Sequence, residues 1–366
     1  MFASGRSNAL TERDVLDALK GVKDPDLQRD LVDLGMIKEI QITETTLALT
    51  VELTTPACPL KAKIEADVRE ALTGRLGTAR TIEIRMGAKV RGKGVAEKGD
   101  IPGVKNVIAV GSGKGGVGKS TMAAALAFGL QSYGAKVGLM DADVYGPSIP
   151  HIVGAQGRPM ATPEQRIVPI DAHGLKVMSM GFLLEPDKAV IMRGPMLHGI
   201  MQQFLHQVEW GQLDYLVIDL PPGTGDVPLS LSQALPLTGA VVVCTPQEVA
   251  LIDARRAVAM FRQLKVPMLG MIENMSFYDT PGGERVYIFG NGGTRREAER
   301  LQVPFLGEVP IDIKLRELGD EGEFDRVFDP ANPARPYLLS VVEQLAAQIS
   351  IQNIKTTRFP KLEILN

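Results

Sequence analysis

Cysteine is nearly absent: the 366 residues hold only Cys58 and Cys244. That excludes a disulfide framework, and one chain cannot build a four-thiolate zinc or iron–sulfur site from its own cysteines. Net charge is nearly absent too. Lys+Arg 40 against Asp+Glu 43 leaves a formal charge of -3, which gives no electrostatic reason to expect nucleic acid as a partner. No stretch reaches the roughly 18 consecutive apolar residues that a membrane span needs. Met1 to Leu10 also lacks the apolar core of a secretory signal, so a cytoplasmic protein without membrane attachment is expected. What remains is an ordinary globular balance, 45% hydrophobic and 23% charged. The length suits about two domains at roughly 100–200 residues each.

The two halves follow different patterns. Residues 8–87 read as a small α+β unit. Thr11 with Asp14 caps a helix through about Lys20, and Ile37 to Thr43 and Leu47 to Leu53 read as strands joined by a turn at 44–46. Cys58 to Thr73 has apolar residues at helical spacing, and Ala79 to Arg85 is a last strand. Helices packed on a short antiparallel sheet would bury both apolar faces. Residues 88–103, rich in glycine and lysine, read as a flexible linker.

From 104 to 350 nearly continuous apolar strands alternate with helices, which predicts an α/β unit with a mostly parallel sheet covered by helices. The strands are Asn106–Val110, Lys136–Met140, Leu175–Met180, Tyr215–Ile218, Ala240–Val243, Met268–Ile272 and Pro304–Leu306. The main helices are Ser120–Ser132, Pro195–Gln207 and Glu248–Leu264, with a closing helix from Pro336 to about Ile349. Residues 351–366 read as a tail.

Directly after the first of these strands comes GSGKGGVGKST, Gly111 to Thr121. It contains GxGxxG twice, the pattern of a dinucleotide turn, and GxxxxGK[ST] once. The pair Lys119-Ser120 decides between them. A lysine at the head of a helix reaches β- and γ-phosphates, the next hydroxyl ligates Mg²⁺, and the backbone N–H groups of Gly113 to Thr121 cradle the anion. Two further carboxylates belong with this loop, because strand ends of a parallel sheet converge on its crevice. Asp219 ends the strand Tyr215–Ile218 and suits Mg²⁺; Asp143, in Asp141-Ala142-Asp143, suits the placing of an attacking water. Asp226, behind a proline- and glycine-rich turn, is a candidate helix cap or switch residue.

Lys114 is not needed by a plain phosphate loop, and GKGGVGKS resembles the deviant loop of the MinD/ParA-like ATPases. Within them the chain resembles the Mrp/ApbC-type iron–sulfur cluster carriers. The motifs are DPDL (Asp24–Leu27), DLG (Asp33–Gly35) and LTTPACP (Leu53–Pro59) of an N-terminal assembly-factor domain. In the ATPase they are DADVYGPSIP (Asp141–Pro150), RGPM (Arg193–Met196), DYLVIDLPPGTGD (Asp214–Asp226), TPQEVAL (Thr245–Leu251) and ENMS (Glu273–Ser276). The resemblance implies a P-loop NTPase fold and a homodimer that binds ATP with Mg²⁺ and hydrolyses it slowly. It also implies that a [4Fe–4S] cluster is carried to apoproteins. It further implies that Lys114 crosses to the partner's phosphates while Lys119 serves its own chain, and that Asn274 reads the adenine base.

One element of the pattern is missing. By the resemblance, the family carries Cys-x-x-Cys shortly after ENMS, whereas this chain reads SFYDTPGGE, with Thr280 at the first cysteine position and the second either Gly283 or absent through a one-residue deletion. A hydroxyl and a hydrogen do not replace soft thiolates. Cluster binding is therefore lost or relocated, and Cys58, read at a helix start and matching a cysteine of the assembly-factor domains, is the relocation candidate. Cys244 reads as core, and His151, His173, His198 and His206 have no metal-ligand spacing. Two functions are set against each other: a cluster carrier, and an ATP-driven scaffold or adaptor that kept the dimer switch without the metal. A positioning ATPase working on DNA or membrane is disfavoured by the balanced charge.

Overall fold

Thr11 and Asp14 close a reciprocal capping box at the head of helix α1 (Glu12–Leu19), the first element of the computed structural model. Its description covers residues 10–77, 80–92, 99–183, 194–225, 228–229, 232–233 and 235–356. Arg193 and Asp226 lie outside it. The chain divides into two compact units, Met1–Val90 and Arg91–Asn366.

In the first unit a short ladder, β1 (Lys23–Asp24) with β2 (Arg29–Asp30), precedes β3 (Ile37–Ile42), β4 (Thr46–Leu53), α2 (Lys61–Leu76) and β5 (Thr81–Ala88). Leu47, Leu49, Val51 and Leu53, at every second position of β4, are buried, as are Ile64, Val68 and Leu72 on one stripe of α2. The sheet is not wholly antiparallel as expected. β3 and β4 are antiparallel, but β5 pairs with β4 in parallel over its full length. The reason is α2: a connection containing a whole helix crosses over the sheet and returns in the same direction, which a tight turn cannot do.

The second unit is built on an eight-stranded sheet. Its elements are β6 (Val104–Gly111), α3 (Lys119–Ser132), β7 (Val137–Asp141), α4 (Ile149–Ile152), a small ladder β8 (Met160–Ala161) and β9 (Ile167–Val168), β10 (Ile170–Ala172), β11 (Leu175–Ser179) and α5 (Gly194–His206). Then follow β12 (Leu213–Asp219), β13 (Gly239–Cys244), α6 (Glu248–Gln263), β14 (Met268–Glu273), a hairpin of β15 (Tyr278–Asp279) and β16 (Arg285–Val286), α7 (Gly293–Leu301), β17 (Phe305–Glu308), α8 (Ile313–Glu321) and α9 (Arg335–Thr356). The strand order is β10-β11-β7-β12-β6-β13-β14-β17, antiparallel only at the β10/β11 edge. β12 and β13 are buried along almost their whole length, as strands covered on both faces must be. The order reverses around β6, so the C-terminal ends of β6, β7 and β12 meet at one crevice.

Two expected boundaries shift. In the segment read as a linker, Ala88 still belongs to β5 and the Lys89 N–H donates to the Leu53 carbonyl. The Arg91 carbonyl accepts from the side-chain amides of Asn106 (3.1 Å) and Asn353 (2.8 Å) within the second unit. The closing helix runs to Thr356 rather than Ile349 because Asn353, buried, also donates to Asn106 Oδ1 at 2.8 Å. Among the described residues no helix is long and apolar enough to cross a membrane.

Candidate nucleotide site

The apolar strand β6 ends at Gly111, and the loop that follows leads straight into α3. Gly118 is the N-cap of that helix in the left-handed region (φ 81°, ψ 27°), and no side chain accepts from the first N–H groups of α3. An uncapped helix start facing a crevice is a ready anion site. The loop is also confined from behind. A Cβ on Gly113 would lie 2.1 Å from the Asp253 carbonyl carbon and 2.6 Å from the Ala254 nitrogen, so it runs directly against the backbone of α6. Gly115 and Gly116 are exposed, Val117 is buried, and Thr121 is half-buried in the first turn of α3.

Four of the predicted polar residues meet at the head of α3. Lys119, 7% exposed, places Nζ 2.6 Å from Asp219 Oδ1, 3.7 Å from Asp143 Oδ2 and 3.3 Å from Ser120 Oγ. Ser120 Oγ donates to Asp219 Oδ2 at 2.5 Å. Asp219, fully buried, ends β12 beside Val110 and Asp141 in the neighbouring strands. Burial raises its pKa, opposed by the Lys119 ammonium and the Ser120 hydroxyl. Asp141 is fully buried as well, and burial, with the Asp219 charge next, pushes it up to about 8. It accepts from the Asp143 and Ile149 N–H groups and from Ser179 Oγ at 3.0 Å. Those contacts aim the turn that carries Asp143. Ser179 gave no warning in the sequence; a serine at a strand end is too common to single out.

The turn behind Asp219 leans on the phosphate loop, since the Gly223 N–H donates to the Ser112 carbonyl at 2.9 Å. Ser112 Oγ in turn donates to the carbonyl of Lys114. Lys114 itself is half-buried in the loop. Asn274, 5% exposed, follows β14, and its side-chain amide donates to the Val117 carbonyl at 2.9 Å.

The other expected residues stand apart from this cluster. Cys244 is buried at the end of β13 with Sγ 3.1 Å from Thr294 Oγ1, and burial pushes its thiol up to about 12. Cys58, half-buried in the first unit, precedes α2 by a turn; the helix begins only at Lys61, because Leu60 is its N-cap, so the thiol is not in the first helical turn as expected.

Thr280 and Gly283 sit in the turn of the β15/β16 hairpin. The Thr280 N–H donates to the Glu284 carbonyl (2.8 Å), the Gly283 N–H to the Thr280 carbonyl (2.9 Å), and the Glu284 N–H to Thr280 Oγ1 (3.1 Å). Arg285 pins the base of the hairpin. It bonds both Asp279 oxygens (2.8 and 2.9 Å) and Tyr337 Oη (2.9 Å), and lies 3.6 Å from the Phe277 ring centroid.

The site tests two bound groups differently. Ser120 and Asp219 offer a hydroxyl and a carboxylate, hard oxygen donors that fit Mg²⁺. An iron–sulfur cluster does not fit: Thr280 and Gly283 provide no thiolate, and no group of three or more His, Cys, Asp or Glu among the described residues is placed to hold a metal.

A parallel sheet with a GxxxxGK[ST] loop between strand and helix, a strand-end aspartate and a lysine between them defines an ATP-binding and hydrolysing P-loop NTPase. Comparison narrows the class. Residues 103–346 match the model of the ParA family described as NUBPL iron-transfer P-loop NTPases, and residues 12–84 match that of iron–sulfur cluster assembly proteins. The iron–sulfur cluster carrier protein of Deinococcus radiodurans is 50% identical over 93% of this chain and 96% of its own. That of Synechocystis is 45% identical over 93% and 99%. A nucleotide-binding protein of Archaeoglobus fulgidus, solved with ADP, is 42% identical and superposes with a TM-score of 0.56 over 63% of this chain and 93% of that one. The chain belongs to the Mrp/ApbC-type family of iron–sulfur cluster carrier ATPases.

Proposed function

We propose that this protein is an ATP-dependent dimeric scaffold or adaptor of iron–sulfur assembly that works without a cluster site of its own in the ATPase unit. The observation that carries this reading is the hairpin at 278–286. Where the family has its paired cysteines, Thr280 and Gly283 form a turn closed by backbone bonds and pinned by Arg285, so its shape needs no metal. Family membership supports the assembly role, and the carboxylates and lysine at the head of α3 support the ATPase role.

At the nucleotide, Lys119 would hold the β- and γ-phosphates, exchanging its Asp219 and Asp143 partners for phosphate oxygens. Ser120 and Asp219 would hold Mg²⁺, which neutralises charge on the phosphates. Asp143, already within 3.7 Å of the lysine, would place the attacking water. Lys114, by resemblance, would reach the phosphates bound to the partner chain as negative charge develops there. The N-terminal unit would present the surface for an apoprotein or assembly factor, in the cytoplasm and without nucleic acid or membrane. Cys58, in that unit, would make a transient contact with a cluster held by that client.

Light scattering with ATP and Mg²⁺, against ADP, tests the switch. The reading expects ATP to favour a dimer in the wild type and not in Lys119→Ala. A wild type that stays monomeric in both nucleotides would contradict it.

A further inference from the structure

The amide of Asn274 faces the phosphate loop in a way that base recognition does not require. Its Nδ2 donates to the carbonyl of Val117, and it stands so close to the loop that a Cβ on Gly118 would lie 2.2 Å from that nitrogen. Glycine at 118 is thus demanded both by its positive φ and by Asn274. Asn274 is itself a fixed post. Its own N–H donates to the Cys244 carbonyl at 2.8 Å, tying it to the end of β13. The preceding Glu273, fully buried, accepts from Ser276 Oγ (2.5 Å) and from the Thr294 N–H at the head of α7 (2.7 Å).

The Val117–Gly118 peptide is trans and planar, so its carbonyl and its N–H point in opposite directions. Whatever fixes the one aims the other. The Gly118 N–H belongs to the row of donors that the loop and the first turn of α3 turn toward an anion. Left without a partner, the buried Val117 carbonyl would rotate to seek one and carry that N–H with it.

We propose that Asn274 is a positioning residue of the phosphate loop: by holding the Val117 carbonyl it orients the Gly118 N–H, and so governs binding of the phosphate chain whatever base is attached. The proposal rests on reading Gly113–Thr121 as the nucleotide site. One of the amide's two N–H groups is used in this way. The oxygen and the second N–H stay available to a base, so the two roles are compatible and separable by experiment.

The test is calorimetric titration with inorganic tripolyphosphate and with ATP, both with Mg²⁺, on wild type, Asn274→Ala and Asn274→Asp. Tripolyphosphate has no base. Asn274→Ala is expected to bind it about tenfold more weakly than wild type, the size of effect that follows when a buried carbonyl loses its donor, and Asn274→Asp more weakly still because it adds a negative charge. Asn274→Asp keeps the side-chain shape but adds a negative charge beside the phosphates, so the weakening of the uncharged Asn274→Ala, with cooperative melting retained, is what separates positioning from charge repulsion and misfolding. Any extra loss for ATP measures base reading. Unchanged tripolyphosphate affinity in Asn274→Ala would overturn the proposal, even if ATP binding fell. A wild type that binds ATP but not tripolyphosphate would also overturn it, since the loop would then not hold a phosphate chain unaided. If wild type bound neither, the nucleotide-site reading would fail first.

Discussion

The phosphate loop and the β15/β16 hairpin lie in one ATPase unit and differ in what their side chains can bind. At the loop the polar side chains converge: Lys119 lies within hydrogen-bonding or ion-pairing reach of Ser120, Asp143 and Asp219, and Ser120 bonds Asp219. At the hairpin the flanking Glu273–Ser276 motif is kept and its carboxylate is fully bonded, yet the two thiolates are gone. A fold and its ligands are therefore separable. A loop that binds phosphate through backbone N–H groups cannot lose its sequence without losing its shape, because Gly113 and Gly118 are packed against neighbours that admit no Cβ. A thiolate knuckle can, provided something else closes the turn. Here Arg285, bonded to Asp279 and Tyr337 and stacked on Phe277, does so.

The largest effect is expected at Lys119. Lys119→Ala removes the ammonium that the phosphates need and strands the fully buried Asp219 carboxylate. ATP affinity by calorimetry should fall about a hundredfold, in line with the loss of charge-assisted hydrogen bonds. Equal affinity in mutant and wild type would place the nucleotide elsewhere.

Next is Lys114. Lys114→Ala should bind ATP as wild type does and hydrolyse it on the order of tenfold more slowly or worse, as for a cation that acts only while phosphoryl charge develops. A mixed dimer of Lys114→Ala and Lys119→Ala subunits should keep half the activity, because one composite site retains both lysines. Equal damage to both sites would put Lys114 at work within its own chain.

A smaller, conditional gain is expected at the hairpin. Thr280→Cys with Gly283→Cys restores two thiols per chain, but Gly283 has φ 84°, which strains any side chain by about 1–2 kcal/mol. The double variant should retain iron after anaerobic reconstitution and melt lower than wild type without it. No retained iron would mean that more than the ligands has been lost.

The smallest concerns Asp141, held at about pKa 8 in the fold against 3.8 in the unfolded chain. Between those values the unfolded state binds fewer protons than the folded one, so this group makes stability fall as pH rises from about 4 to about 8. Asp141→Asn should flatten that part of the melting-temperature profile. An identical slope in the variant would mean that the carboxylate is ionised in the fold.

What the sequence disclosed about these regions follows the distance over which each is encoded. The phosphate loop is contiguous, and Asp143 and Asp219 announce themselves as acids at the ends of apolar strands; the structure brings all of them to the head of α3. The parallel pairing of β5 was hidden, because nothing in Thr81–Ala88 itself says which way its neighbour runs; the crossover through α2 decides. The hold of Asn274 on Val117 and the link from Arg285 to Tyr337 join residues far apart in the chain, with no local pattern to mark them. The extension of α9 to Thr356 has no local signal for the same reason: its anchor, Asn353, finds Asn106 only in the folded unit.

The proposed function requires a working nucleotide site in an ATPase unit that has no cluster site of its own. Anaerobic reconstitution with iron and sulfide, followed by desalting against a chelator and counting of iron per chain, checks this requirement on the wild type and on Cys58→Ser. Wild type is expected to keep far less than one [4Fe–4S] cluster per dimer after the chelator, and Cys58→Ser to lower only the labile fraction removed by it. A full cluster per dimer that survives the chelator in both proteins would contradict it.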